Sequence, residues 1–66
     1  MDLGQYYGKS VRIVCDEGKI FEGFITLYVY PEDNDPEVEG IIMDHKPSAS
    51  LIEFRETDIK TITVID

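Results

Sequence analysis

From Val11 to Cys15 apolar and polar positions alternate, with Val11, Ile13 and Cys15 set against Arg12. A two-residue period of this kind predicts a strand with one buried face. Asp16-Glu17-Gly18 follows as a turn signal, because glycine enters the left-handed conformation of a short hairpin loop without steric cost. Lys19 to Tyr30 is then an apolar run too long for a flat strand, and it contains Gly23. A glycine inside a strand marks a bulge, a bend or a close backbone approach, and such a bend lets a small sheet curl over onto itself. Strict alternation puts Phe21, Ile25, Leu27 and Val29 on Gly23's side, toward the core. It puts Ile20, Phe24, Tyr28 and Tyr30 on the other side with Glu22 and Thr26.

Three shorter strands follow. Gly40 to Asp44 has Ile41 and Met43 as core positions and Ile42 facing away; Leu51 to Arg55 has Ile52 and Phe54 inward and Glu53 outward. His45 to Ser50 is a polar turn, and Glu56-Thr57-Asp58 is a tight turn. Ile59 to Ile65 is a β-branched fifth strand with Ile59, Ile62 and Val64 buried. At the other end of the chain, Asp2 caps one helical turn that lays Leu3 and Tyr6 or Tyr7 over the sheet. Five short strands with no long helix and no repeat predict an all-β fold. The expected form is a small, strongly bent, five-stranded antiparallel barrel of SH3-like type, one domain over residues 1–66. The uncharged T-I-T-V-I segment near the end is guarded only by Lys60 and Asp66, and an edge of that kind is a template for pairing with another chain.

Composition limits the function classes. Sixty-six residues bury only a small core, and domains of this size gain from cross-links, metals or self-association. One cysteine makes no internal disulfide, which points to a reducing compartment. No apolar run approaches the roughly 20 residues needed to span a bilayer and no leader opens the chain, so the expectation is a cytoplasmic protein without a membrane partner. Fourteen acidic against six basic residues give a net charge of −8. That balance opposes generic nucleic-acid binding, which rests on Lys and Arg neutralising phosphates, and suits a basic partner.

Candidate chemistry sits in the middle of the chain. Residues 31–39 read P-E-D-N-D-P-E-V-E, a solvated loop that carries much of the excess charge. Alternating Asp33, Asp35, Glu37 and Glu39 resemble a calcium loop, but Val38 stands where the glycine of that loop belongs and helical flanks are absent. No metal or other cofactor is assigned. Tyr28 and Tyr30 offer aromatic faces on which nucleotide bases stack, or which pack against a neighbouring element. His45, the one histidine, has no nucleophile beside it and reads as an exposed loop residue. Without a nucleophile elbow, a metal-ligand pair or a phosphate-binding glycine loop, the chain is expected not to be an enzyme.

The ordered set G-K-S-V-R-I (8–13), D-E-G-K-I-F-E-G-F-I (16–25) and R-E-T-D-I-K-T-I (55–62) resembles the Sm-like (LSm) domains, including small acidic bacterial members of that superfamily. The resemblance implies a bent five-strand barrel behind an N-terminal turn. It also implies rings in which the fourth strand of one subunit pairs with the fifth of the next, and RNA as the usual partner. Arg55 matches the family's base-contacting arginine, although Glu56 replaces the glycine that usually follows it. Val29 stands where an aspartate is usual, and Glu32 and Asp33 where a methionine and an asparagine are expected. Carboxylates there repel phosphate and donate no hydrogen bond to a base.

Two readings follow. In one, an oligomer joined through edges 51–55 and 59–65 binds single-stranded RNA with Arg55, Tyr28 and Tyr30. In the other, the same barrel is a protein-interaction module whose loop residues Glu32, Asp33, Asp35 and Glu37 meet a basic protein.

Overall fold

The computed structural model describes residues 2–45 and 50–65; the expected turn at 46–49 lies outside them. A 3-10 turn, Leu3–Tyr6, precedes β1 (Ser10–Cys15), β2 (Ile20–Val29), β3 (Gly40–His45), β4 (Ser50–Arg55) and β5 (Ile59–Val64). Two further 3-10 turns, Pro31–Asp33 and Glu56–Asp58, lie before β3 and β5, the first of them at the start of the acidic loop. The strands form one antiparallel sheet in the order β4-β3-β2-β1-β5. It is strongly curled, yet β4 and β5 remain its two ends and do not pair with each other. The five-stranded bent architecture is as the sequence reads; the barrel is left open along one seam.

The curl follows from two positions. At Gly18, φ is 93°, and the hairpin closes by hydrogen bonds from Gly18 N to Cys15 O and from Cys15 N to Lys19 O, both 2.8 Å. At Gly23, β2 and β3 approach so closely that a Cβ would stand 2.4 Å from the Asp44 carbonyl oxygen and 2.6 Å from Met43 Cγ. The sheet can fold over Met43 only because nothing projects from residue 23. The core that results is Leu3, Val11, Ile13, Cys15, Ile25, Ile41, Met43, Phe54 and Ile59, with Tyr6, Phe21, Tyr28, Ile52 and Ile62 packed against it.

Two bulges rearrange the faces read from alternation. In β2 the register passes from Ile25↔Met43 to Leu27↔Ile42, leaving Thr26 as the extra residue, its hydroxyl donating to Ile42 O at 3.3 Å. An extra residue moves every later side chain to the opposite face. Leu27, expected in the core, is therefore 54% exposed, Val29 is only half-buried, and Tyr28 turns inward opposite buried Ile41. In β5 the shift between Cys15↔Ile59 and Val14↔Thr61 lets both Ile59 and Ile62 face the core. Val64, expected buried, faces Val11 but is exposed, because no strand follows β5 to cover it. Asp2 makes no side-chain cap to the first turn. His45 is the last residue of β3, not a loop residue: it is half-buried, its ring packs edge-on against Phe21, and its Nδ1 lies 3.0 Å from Glu22 O.

Candidate binding rim

At the end of the sheet where β2 stops and β3 begins, the residues singled out from the sequence converge on the 30–39 loop. The Thr26 bulge sets the geometry. With Tyr28 turned inward, its hydroxyl donates to Glu39 Oε2 at 2.5 Å. The other carboxylate oxygen, Glu39 Oε1, accepts the Leu3 backbone N–H at 3.1 Å. One carboxylate thus clasps the N-terminal turn to β2 and supplies a partner for a backbone donor that the turn leaves free. Leu3 is fully buried beneath this clasp. Tyr28 is committed to structure, and its ring lies 3.7 Å from the position of a Cβ built on Gly4.

The clasp predicts an alkaline response. The hydrogen bond to Glu39, then burial, then the negative charge of Glu39 push the Tyr28 phenol up to about 12 from its ordinary value near 10. A folded-state pKa above the unfolded one gives stability that is complete below about pH 10 and is lost as the pH rises toward 12. The thermal midpoint, measured by circular dichroism from pH 8 to 12, is expected to fall over that window. In Tyr28→Phe, which cannot ionise there, the alkaline fall is expected to be shallower.

Tyr30 is different. Its ring meets Tyr28 edge-on, with centroids 5.0 Å apart and planes at 84°, and it is 59% exposed. With Tyr7, Leu27, Tyr28 and Gly4 it lines a shallow groove of about 450 Å³. Beyond it the loop is braced by its own backbone. Asp33 N donates to Tyr30 O and Asn34 N to Pro31 O, each at 3.0 Å, and the Asn34 side-chain amide donates to Val38 O at 2.8 Å. The Asp35–Pro36 peptide is cis. Glu32, Asp33, Asp35 and Glu37 are all exposed, and no described basic side chain forms an ion pair with them.

Arg55 approaches the loop from β4. It stands opposite Gly40, which in turn stands opposite Val29. Its backbone N–H donates to Asp58 Oδ2 at 3.0 Å, and its guanidinium reaches the Asp35 carbonyl oxygen at 3.4 Å. The structure therefore gathers Arg55, Tyr30 and the acidic loop at one end of the sheet. Tyr28 lies beneath them, held by Glu39. Arg55 has its described contacts with Asp35 and Asp58, not with the tyrosines. Glu39 is the residue that sequence reasoning missed: it reads as one of five loop acids, and nothing nearby in sequence marks its partners.

Among the described residues no group of three or more His, Cys, Asp and Glu side chains is arranged to hold a metal ion. No helix among them is long and apolar enough to cross a membrane. Compared with known proteins, the chain matches no family model, no curated protein and no solved structure significantly.

Proposed function

We propose that this chain is a non-catalytic, Sm-like binding module of a reducing cytoplasm that assembles through its two free sheet edges and engages single-stranded RNA at Arg55 and Tyr30. The observation that carries this reading is the open seam: β4 and β5 end the sheet on opposite sides, each with an unpaired edge. Joining β4 of one copy to β5 of the next satisfies both rows of backbone groups and leaves new free edges until a ring closes. The edge of β5 is well suited to it. Ile65 N donates to Ser10 O at 2.9 Å, so by antiparallel alternation the amides of Thr63 and Thr61 also face β1. Those of Ile62 and Val64 face outward.

Support for RNA is local. Tyr30 presents an exposed ring for stacking, and Arg55 brings a cation to the same rim. Val64→Pro removes one outward N–H and leaves the ladder to β1 intact, so it is expected to reduce the assembly to monomers, as read by sedimentation. Arg55→Ala is expected to weaken binding of a short uridine-rich RNA at least tenfold while leaving assembly unchanged. Affinity of the unaltered protein is expected to fall as salt rises, through counterion release.

The exposed, unneutralised carboxylates Glu32, Asp33, Asp35 and Glu37 favour a second reading, in which the rim meets a basic protein. Neutralising Glu32, Asp33 and Asp35 together then costs more binding than losing Arg55.

A further inference from the structure

Beside the Glu39 clasp, the N-terminal turn and β2 border the aromatic groove lined by Gly4, Tyr7, Leu27, Tyr28 and Tyr30. Tyr7, Leu27 and Tyr30 are each more than half exposed, so a large apolar and aromatic area faces solvent around one recess. The frame beneath it is fixed. Tyr7 N donates to Gly4 O at 3.3 Å and Gly8 N to Ile25 O at 2.9 Å, which seats the end of the turn on β2. Glu39 holds Tyr28 by its hydroxyl, and the Tyr30 ring stands against the Tyr28 ring at 84°. Two rings at right angles make a rigid corner, and Gly4 leaves the space beside it without a side chain.

We propose that this groove receives a proline-rich peptide segment that carries a basic residue. Such a segment holds an extended left-handed helix without internal hydrogen bonds, so it loses little freedom on docking and its carbonyls stay free to accept. Aromatic-lined grooves take it by packing proline rings against aromatic ones, and a tyrosine hydroxyl supplies a donor for its carbonyls. The hydroxyls of Tyr7 and Tyr30 have no hydrogen-bond partner among the described residues, whereas that of Tyr28 is spent on Glu39.

Charge selects a basic peptide for this seat. No Lys or Arg lines the groove. On one side, Asp2 Oδ1 lies 3.5 Å from the position of a Cβ built on Gly4. On the other, the chain runs from Tyr30 through Pro31 into exposed Glu32 and Asp33. A phosphate backbone lying between these acids is repelled, and an arginine or lysine flanking the prolines is attracted. The tyrosines and Leu27 supply the contact area, and the acids supply discrimination. Such a peptide gives the basic partner of the second reading a chemistry and a seat, and its docking rests on that reading.

The test is an NMR titration of the ¹⁵N-labelled full chain with hexaproline flanked by one arginine at each end. Hexa-alanine with the same arginines and hexaproline flanked by glutamates are the controls. The first peptide is expected to shift the amides of Gly4, Tyr7, Leu27 and Tyr28, and the controls to leave them in place. Tyr7→Ala and Leu27→Ala, both at exposed positions, are each expected to weaken binding about fivefold, and Arg55→Ala to change it less than about twofold. The groove assignment is overturned if the alanine peptide binds as well, a result that keeps a basic partner at the loop and removes the groove. It is equally overturned if a uridine-rich RNA shifts Tyr7 and Leu27 while the proline peptide does not, or if neither variant weakens binding. No shift with any of the three peptides overturns the groove and the second reading together.

Discussion

Gly23→Ala is expected to bring the domain close to its unfolding limit. The new methyl would stand 2.4 Å from the Asp44 carbonyl oxygen, with Met43 Cγ at 2.6 Å and its sulfur at 2.9 Å. Met43 is a flexible side chain and can move; the Asp44 carbonyl belongs to β3 and moves only with the strand. Both neighbours sit in the tightest part of the curl, where Met43 is fully buried. Overpacking of this kind costs typically about 1–3 kcal/mol, and a backbone contact places this substitution at the upper end. A core this small rarely supplies more than about 3–5 kcal/mol in total. At about 4–8 °C for each kcal/mol in a domain of this size, the midpoint is expected to drop by about 15 °C or more. Denaturation followed by circular dichroism measures it. A midpoint within about 3 °C of the unaltered protein would show that the sheet is not pinned at this glycine.

Glu39→Ala is expected to have the next largest effect, although Glu39 sits at the end of a solvated acidic loop. Its carboxylate holds the Leu3 N–H and the Tyr28 hydroxyl together. Removing it leaves two partly covered donors without their acceptor, and the thermal midpoint is expected to fall. Leu3, fully buried, then loses the tether that keeps its turn on β2 and β3. Glu39→Gln keeps one acceptor oxygen and loses the charge, so roughly half the destabilisation is expected. Hydrogen exchange distinguishes this from a general loosening. Protection should fall first in residues 3–9 and around Tyr28, with β1 and β5 little changed. By comparison, Glu37→Ala, at an exposed position two residues away, is expected to change stability by less than about 0.5 kcal/mol.

These two residues also show what a sequence reveals and what it hides. Gly23 was visible because a glycine interrupting an apolar strand has few explanations, and close approach is one of them. The alternation Val11, Ile13, Cys15 was visible because β1 is paired on both sides and buried on one face, so its pattern is a direct record of its environment. β2 resisted the same reading after Ile25. After Thr26 the chain reads Leu27-Tyr28-Val29-Tyr30, apolar or aromatic on both faces, so no polar alternation marks the one-residue bulge, and Leu27 lies outward and Tyr28 inward. Val64 was misplaced for another reason. Its face was right, but burial also needs a covering neighbour, and β5 ends the sheet.

The rim was legible in part. Arg55 is singled out by the resemblance to Sm-like domains and Tyr30 by its aromatic ring, and the fold brings both to the loop. Tyr28 carries the same chemical signature as Tyr30, yet it is held by Glu39, a contact spanning 11 positions that no local pattern records.

The most direct test of the account is native mass spectrometry of the purified protein, alone and after incubation with cellular RNA and nuclease, beside Val64→Pro. A closed ring for the unaltered chain, carrying short RNA fragments, and a monomer for the proline variant are the predicted results. A monomer for the unaltered chain at micromolar concentration would contradict assembly through the free edges. A ring that carries no RNA would keep the assembly and overturn the ligand assigned to Arg55 and Tyr30.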